Sequence, residues 1–405
     1  MEQWKEYKIS DIIEEIAMGP FGSNIKVDNF IDFGIPVLNG SNLQGFKLNE
    51  DSFNYVSEEK AESLGRANAF RGDVVITHRG TLGQIVYIPL DSKYERYVIS
   101  QSQFRLKLNQ DLIRPDFLVY FFHTRIGQHR ILMNASQVGV PALARPTSTF
   151  KEVSIPVPPM EIQNKIMSIL LSLNNKIEIN RRINDNLEQQ AQALFKSWFV
   201  DFEPFKNGKF VESEIGMIPE GWKVGNLLDV AELSDSKRKP LSAMERSNMN
   251  KVYPYYGATS IMDYVDDYLF DGIYLLMGED GSVMTENGFP YLQYVSGKFW
   301  VNNHAHIMQG KNAFTTEMLH CLLFRKNISE FVTGAVQAKI SQNNMKRIKL
   351  AIAPANVLDS FSKLLDSIYS QIRQKKKESD VLCKKRDLLL PKLMSGKIKI
   401  NDLNS

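Results

Sequence analysis

The sequence predicts an α+β protein in which two pseudo-two-fold-related mixed α/β modules are separated by an antiparallel coiled coil of two long helices. Two observations lead to this prediction. The chain repeats one plan twice, and each copy ends in a long stretch with apolar residues at heptad spacing. Because strand-like and helix-like segments precede that stretch in both copies, each copy is expected to be a mixed module followed by one helix.

The repeat is visible in matching landmarks. Trp4 and Trp222 each open a copy and are followed by lysine. Leu390 follows Leu194 by 196 residues, whereas the two tryptophans are 218 residues apart. A constant spacing in the helices and a different length in the globular parts predict two distinct modules on a common helical frame. The predicted domains are the first module (1–158), the first helix (159–200), a linker with the second module (201–355), and the second helix with the C-terminal tail (356–405).

Local patterns predict the elements of each module. In the first, 72–90 is expected to form two strands around a glycine turn, 96–108 a further strand, and 115–132 a helix. In the second, 272–284 has the same strand–turn–strand character, and 316–332 has helical spacing.

The two long helices carry apolar seams with polar centres, at Asn180 and Asn184 in the first and at Lys375 and Ser379 in the second. If the helices pair antiparallel, the polar centres meet, which costs stability but fixes the register. The alternative is two independent amphipathic helices, each packing on its own module. Pro391 is expected to end or kink the second helix. The predicted seam consists of Ile166, Leu170, Leu173, Ile177, Asn180, Asn184, Leu187 and Leu194, with Phe361, Leu365, Ile368, Ile372, Leu382 and Leu389.

Composition excludes several classes of protein. Of 405 residues, 43% are hydrophobic and 23% are charged, so the chain is globular and not disordered. Cys321 and Cys383 are too few for a disulfide framework or a Cys-rich zinc site, and they fit a reducing cytoplasm. We see no signal peptide and no apolar run near the ~18 residues of a membrane helix. The chain is therefore expected in the cytoplasm, without membrane contact.

Charge is distributed unevenly. Residues 1–158 contain 17 basic and 18 acidic side chains, and 201–355 contain 16 and 18. Residues 356–405 contain 11 and 6, so the surplus behind the net charge of +3 lies in the C-terminal segment. If the modules bind nucleic acid, they must use local basic loops, because their bulk charge is slightly repulsive.

Several segments in this order resemble the specificity subunit of type I restriction–modification systems. The second module departs from the common pattern, since GEDGSV (278–283) stands where the first has HRGTLG. The matching segments are GPFGSNI (19–25), GIPVLNGSNL (34–43), GDVVITHRGTLG (72–83), IPVPPMEIQNKI (155–166), NLEQQAQALFKSWF (186–199) and KKRDLLLPKLMSGKI (384–398).

The resemblance implies a non-catalytic subunit. Each module would be a target recognition domain that reads one half of a bipartite target in double-stranded DNA. The helices would set the gap and dock two modification subunits, which methylate adenine N6 with S-adenosylmethionine. Two restriction subunits, where present, would use ATP and Mg²⁺. No cofactor and no metal is expected in this chain.

The motifs agree with a DNA-recognition subunit that has no catalytic activity of its own. We find no Asn/Asp-Pro-Pro-Tyr/Phe box and no GxxxxGK[ST] phosphate loop. Two other functions stay open from the residues alone. One is a DNA enzyme with fused recognition domains, and the other is a protein–protein adaptor with repeated modules.

Arg79 and Thr81, in THRGTLG, are the leading candidates for DNA contact in the first module. An arginine can bind guanine O6 and N7 or a phosphate, although a solvated turn arginine is the alternative. Asn and Ser side chains can meet base edges, or they can bond their own backbone in turns. The further candidates of this module are Ser23, Asn24, Lys26, Asn39, Ser41, Asn42, Gln137 and Arg145.

In the second module, a basic triplet stands in an otherwise acidic region and suggests phosphate contacts. Glu279 and Asp280 could accept from cytosine N4 or simply form a turn. His304 and His306 are expected to be core or surface histidines, because no third metal ligand is evident. The candidates here are Lys237, Arg238, Lys239, Tyr256, Thr259, Ser260, Gln337 and Lys339, the last two corresponding loosely to Gln137 and Arg145.

Overall fold

The computed structural model describes residues 4–22, 24–133, 135–136, 139–334 and 337–398. The chain divides into two compact units, Met1–Ile177 with Asp380–Ser405, and Glu178–Ser379. Each unit contains one mixed α/β module and a part of each long helix. The division cuts both helices and does not test the predicted domain boundaries, which stay a prediction.

The first module contains two four-stranded sheets. The antiparallel sheet has the order β2-β9-β6-β7. The mixed sheet has the order β4-β3-β8-β5, and β1 pairs with β12. The strands are β1 (Lys5–Lys8), β2 (Ile13–Met18), β3 (Ile35–Val37), β4 (Asn54–Val56), β5 (Asn68–Phe70), β6 (Val74–Thr77), β7 (Ile85–Tyr87), β8 (Arg96–Val98), β9 (Gln103–Leu108), β10 (Ala135–Ser136), β11 (Ala142–Leu143) and β12 (Ser154–Val157).

Strand β6 explains why this module needs two layers. Val74 and Ile76 pack in one apolar cluster, whereas Val75 packs in another. Successive side chains of a strand point to opposite faces, so β6 is covered on both sides. The helices are α1 (Ile9–Ile12), α2 (Glu58–Ser63), α3 (Pro115–Phe122), α4 (Arg125–Leu132) and α5 (Pro146–Lys151).

The predicted strand pair in 72–90 is confirmed by β6 and β7, which pair antiparallel. Segment 96–108 is two strands and not one, because the chain turns between β8 and β9 and the two join different sheets. Segment 115–132 is two helices. The first ends at Phe122, and Thr124 caps the second, its hydroxyl accepting from the Gly127 amide at 3.0 Å.

The second module is built around a six-stranded sheet, in the order β16-β21-β19-β20-β17-β18. Its strands are β13 (Phe210–Ser213), β14 (Gly216–Pro219), β15 (Lys223–Asn226), β16 (Ala231–Leu233), β17 (Tyr253–Tyr256), β18 (Ile261–Val265), β19 (Phe270–Gly278), β20 (Leu292–Val301), β21 (Ala305–Gly310) and β22 (Lys349–Ile352). Its short helices are α7 (Leu227–Val230), α8 (Ala243–Ser247), α9 (Thr316–Leu323) and α10 (Gln342–Met345).

Two predictions for this module need correction. Segment 272–284 supplies only β19, and the partner strand β20 lies further along the chain, because 279–284 forms an irregular loop held by isolated bridges. The helix expected over 316–332 stops at Leu323, and only a 3-10 turn at Ser329–Phe331 follows.

The long helices are α6 (Met160–Phe199) and α11 (Ala355–Met394). In the second unit they run antiparallel, since Asn180 bonds Glu378 whereas Phe199 meets Phe361. The first unit shows the same direction of pairing, with Asn174 bonded to Arg386. The predicted fold class is confirmed in this respect, and the alternative of independently packed helices is wrong.

Every residue of the predicted seam is buried or half-buried. At the polar centre, Asn180 Nδ2 donates to Glu378 Oε2 at 3.1 Å, and Lys375 Nζ lies 3.1 Å from the same oxygen. Pro391 does not end α11, which continues to Met394. Leu393 and Met394 are buried in the apolar core of the first unit, and this packing holds the last turn in place.

Candidate nucleic-acid interface

In the first unit, the loops that carry the candidate residues meet at one end of the strands of the sheet β2-β9-β6-β7. We call this end of the sheet the edge of the unit. Strand β9 lies between β2 and β6 and runs antiparallel to both. The loops that follow β2 and β6 and the loop that precedes β9 therefore come together. The Gly19 amide donates to Gln103 O at 2.8 Å, and the His78 amide donates to Ser102 O at 2.8 Å.

A fourth segment, 139–144, is fastened to the loop after β6. The Gly80 amide donates to Pro141 O at 2.9 Å, and the Leu143 amide donates to His78 O at 2.9 Å. Gly80 has a φ of 88°, a left-handed conformation that glycine adopts without strain. We call this pair of hydrogen bonds around Arg79 the loop clasp. Because it uses backbone atoms only, the Arg79 side chain plays no part in it and is exposed.

The second unit repeats the loop clasp. The Gly281 amide donates to Ala338 O at 2.9 Å, and the Ile340 amide donates to Glu279 O at 2.9 Å. The register makes Asp280 the counterpart of Arg79, since Arg79 bridges Ala142 and Asp280 bridges Lys339. Lys339 therefore corresponds to Ala142 and not to Arg145.

A glutamine fastens a further loop in each unit. Gln84 Nε2 donates to Gly40 O at 3.1 Å, and Gln293 Nε2 donates to Gly257 O at 2.9 Å. These bonds bring the loops that contain Ser41 and Thr259 to the two edges. Sequence reasoning missed both glutamines. The signal was weak, because each is only a polar residue at the start of an apolar strand.

The exposed cations of these loops are available to a ligand. Within the described ranges, five candidate side chains are exposed and make no ion pair: Lys26, Arg79, Arg145, Lys237 and Lys239. The polar candidates Asn24, Ser41, Thr81, Thr259, Ser260 and Gln337 are also exposed. Ser23 and Gln137 lie outside the described residues.

Three candidates serve the fold instead. Asn42 is 1% exposed, and its amide donates to Asn49 O and Ser52 O, each at 3.0 Å. Asn39 Oδ1 accepts from the Ser41 amide at 2.8 Å, which is the turn alternative. Tyr256 is buried against Phe299. Asn42 and Tyr256 as placed are not accessible to DNA.

Arg238 is also a structural residue. Its Nη1 lies 2.5 Å from Glu279 Oε2 and 2.9 Å from Ala305 O, and its Nε donates to Asp235 O at 3.0 Å. Satisfied guanidinium groups of this kind hold loops together. Of the basic triplet, only Lys237 and Lys239 are free to contact phosphate.

Behind the second edge lies a charged cluster of Asp235, Glu279 and His306, whose ligand-type atoms all lie within 4.8 Å of one another. His306 Nδ1 is 2.6 Å from Asp235 Oδ2, and His306 Nε2 is 2.8 Å from Ile340 O. Both ring nitrogens face oxygen acceptors, which is the arrangement of an imidazolium. Among the described residues this is the group that could hold a metal, but Arg238 and Lys339 already neutralise Glu279.

Burial and charge act in opposite directions on this pair. Burial lowers the pKa of His306, but the hydrogen bond and negative charge of Asp235 outweigh it, and the pKa is raised. Burial raises the pKa of Asp235, but the hydrogen bond and positive charge of His306, together with the hydrogen bonds from the Ile307 amide and Gln342, outweigh it, and the pKa is lowered. Both shifts therefore favour the ionised form of the pair.

The first unit has no such pair. The register places Met18 and Phe104 where the second unit has Asp235 and His306, and His78 where it has Glu279. The rings of His78 and Phe104 are 6.4 Å apart. Burial lowers the pKa of His78, so the layer beneath this edge carries an uncharged histidine and no ion pair at these described positions. The two edges share a backbone and differ in charge.

Comparison with known proteins places the chain in a family. A family model described as the type I restriction modification DNA specificity domain matches residues 1–189 and 219–382. The MjaIX specificity subunit of Methanocaldococcus jannaschii is 26% identical over 429 residues, which cover 99% of this chain and 95% of the relative. The HindI specificity subunit of Haemophilus influenzae is 21% identical, over 98% and 100%.

The fold agrees with a solved structure. The crystal structure of a type I S subunit from M. genitalium is 17% identical, covers 96% of each chain, and has a TM-score of 0.54. The chain therefore belongs to the type I restriction–modification DNA specificity family, whose members are the non-catalytic recognition subunits of these systems. In the described part of the chain, no helix is both long and apolar enough to span a membrane.

Proposed function

We propose that each unit uses the loops around its clasp to read one half of a bipartite DNA target. The observation that carries this proposal is the repeat of the loop clasp with different side chains. One backbone arrangement carries the exposed Arg79 in the first unit and, in the second, Asp280, whose carboxylate is half-buried and hydrogen-bonded to His304. Arginine donates to guanine and a carboxylate accepts from cytosine, so the half-sites differ in sequence.

Affinity and specificity are divided among different residues. Phosphate contacts come from the cations exposed at the edges, which are Lys26, Arg145, Lys237 and Lys239. Because these contacts are electrostatic, the affinity for DNA falls as the salt concentration rises. Arg79 supplies base discrimination. Because the modules are close to neutral overall, the chain alone binds DNA weakly, and tight binding requires partner subunits that close around the duplex.

The partners and cofactors follow from the same proposal. Two modification subunits dock on the paired helices α6 and α11, whose antiparallel register sets the gap between the half-sites. Restriction subunits join where the system has them. S-adenosylmethionine, ATP and Mg²⁺ are bound by those subunits, and the complex works in the cytoplasm.

The test is methylome sequencing of a host that expresses this chain with its modification subunit. The expected result is one bipartite, asymmetric motif with methylated adenines. In the Arg79→Ala variant, base preference is lost in one half-site only, and a lysine-to-alanine control at Lys237 keeps the motif. The proposal is rejected if no motif appears with the modification subunit present.

A further inference from the structure

The turn that follows β2 in the first unit displays a phenylalanine to solvent. Phe21, in Gly19-Pro20-Phe21-Gly22, is 84% exposed. Burying a phenylalanine is worth about 1.5–3 kcal/mol, so an aromatic side chain left almost wholly in water gains when a ligand covers it. The question is what covers it.

The turn is anchored to neighbouring backbone on one side of Phe21. A Cβ on Gly19 would stand 1.9 Å from Ser100 O, a backbone atom, so only glycine allows this close approach. On the other side, Gly22 lies against the end of the Gln101 side chain. The Asn24 amide donates to Phe21 O at 2.8 Å and closes the turn.

The turn belongs to the edge that carries Arg79. It packs on Gln101, and Gln101 O lies 3.2 Å from His78 Nε2, next to Arg79 in the chain. Phe21 stands three residues after Met18, the counterpart of Asp235, so the residue of the second unit that corresponds to Phe21 is Arg238. The Arg238 side chain folds inward onto Glu279. The first unit has no carboxylate there, and its residue at this position points outward.

We infer that Phe21 packs against the bases of the first half-site as an apolar wedge, an inference that rests on the proposed function. Aromatic side chains stack on bases without regard to their identity, and apolar wedges inserted at base steps kink the duplex. Arg79 would then read a base edge while Phe21 contacts a neighbouring step. The second half-site has no such wedge, so the two halves are bound asymmetrically.

The experiment uses the complex with its modification subunits and a duplex bearing the target that the wild-type complex methylates. Phe21→Ala should weaken binding by about 5- to 150-fold, the range found for one stacked base. Phe21→Trp should keep it. Phe33 is 85% exposed but precedes β3 of the other sheet, so Phe33→Ala is the matched control and should bind as wild type.

A second readout locates the contact. With 2-aminopurine placed in the first half-site, wild type and Phe21→Trp should change its fluorescence on binding, and Phe21→Ala should not. A probe in the second half-site should respond equally to all variants. If Phe21→Ala binds as wild type, the inference is overturned.

Two other outcomes are separate from that one. If Phe21→Ala weakens assembly with the modification subunits and leaves DNA affinity of the assembled complex unchanged, the exposed ring is a protein contact and the inference is overturned. If the wild-type complex methylates no specific sequence, the proposed function fails first, and the inference fails with it.

Discussion

Removing the positive charge of His306 is expected to loosen the loops at the edge of the second unit. His306 is 1% exposed and joins three segments, since it bonds Asp235 and Ile340 from its own strand β21. Asp235 in turn accepts from the Ile307 amide at 2.8 Å and from Gln342 Nε2 at 2.7 Å. The charged groups that face the pair are Glu279, Arg238 and, through Glu279, Lys339.

The direction of the pH effect follows from the pKa of His306. It is raised in the folded chain, so the imidazolium stabilises the fold fully below the ordinary histidine value of about 6.5. That contribution is lost as the pH rises through the higher folded pKa. The pKa of Asp235 is lowered, so its contribution is lost only as the pH falls below its ordinary range. The edge should therefore loosen as the pH rises through the raised folded pKa of His306.

The size of the effect comes from the burial of both partners. Breaking a buried ion pair by removing one partner costs about 3–5 kcal/mol, because the remaining charge is left without compensation. His306→Gln keeps one donor and should fall at or below the lower end of that range. Asp235→Asn should cost as much, and the double variant should cost less than the sum, because the two residues share one interaction.

Hydrogen exchange measured by mass spectrometry is the suitable assay, since it reports local opening in each loop. After correction for intrinsic exchange rates, peptides from 234–239 and 279–283 should lose protection between pH 7 and 9 in the wild type. They should be unprotected at both values in His306→Gln. Peptides from 78–84 serve as the internal control, because burial lowers the pKa of His78 and it stays neutral across this range.

The reasoning is refuted if protection of 279–283 is the same at pH 7 and pH 9 while His306→Gln abolishes it. In that case the side chain matters for its shape and hydrogen bonds, and its charge does not. Equal loss of protection in 78–84 would show a general effect of pH on the fold.

Four further predictions concern DNA binding and the helices. Arg79→Ala should reduce binding of the matched first half-site by about 1–3 kcal/mol, measured by competition against targets changed in that half. The double variant Lys237→Ala, Lys239→Ala should lower the affinity for all DNA sequences and weaken the dependence of that affinity on salt. Asn180→Leu should raise the midpoint of thermal unfolding, because Asn180 Oδ1 is buried without a partner among the described residues. A lower midpoint in calorimetry would contradict this. Leu393→Ala should destabilise the first unit by about 2–5 kcal/mol in urea unfolding, because Leu393 is buried although it follows Pro391. An unchanged urea midpoint would show that the last turn of α11 is dispensable.

Sequence reasoning succeeded where the signal repeats along the chain. Heptad spacing identifies the buried face of α6 and α11, since every seam residue is covered. Short runs of β-branched apolar residues on either side of a glycine turn identify β6 and β7. These patterns are local consequences of helical and strand geometry, and they do not depend on distant contacts.

Side-chain roles at the edges could not be predicted in the same way. Asp235 and His306 are 71 residues apart and meet only because β16 pairs with β21. Arg238 looks like a phosphate contact in its triplet, and only the approach of Glu279 makes it structural. Asn42 is turned inward by two carbonyls that its own loop supplies. Each depends on register, which a single sequence does not reveal.

The two edges also explain how one fold can read different sequences. The loop clasp is made of amide and carbonyl groups, so its geometry is the same with Arg79 or Asp280 at its centre. A substitution of Arg79 alters what the loop offers to a base and leaves the backbone bonds that hold the loop unchanged. A substitution of Asp280 also removes its hydrogen bond to His304. In the charged cluster behind the clasp of the second unit, substitutions are not independent of one another. The Asp235–His306 pair must change together, because either residue alone leaves a buried charge without a partner. Variation in recognition is therefore easy at Arg79, which is exposed and makes no ion pair with a described residue, and coupled in the charged layer beneath the clasp of the second unit.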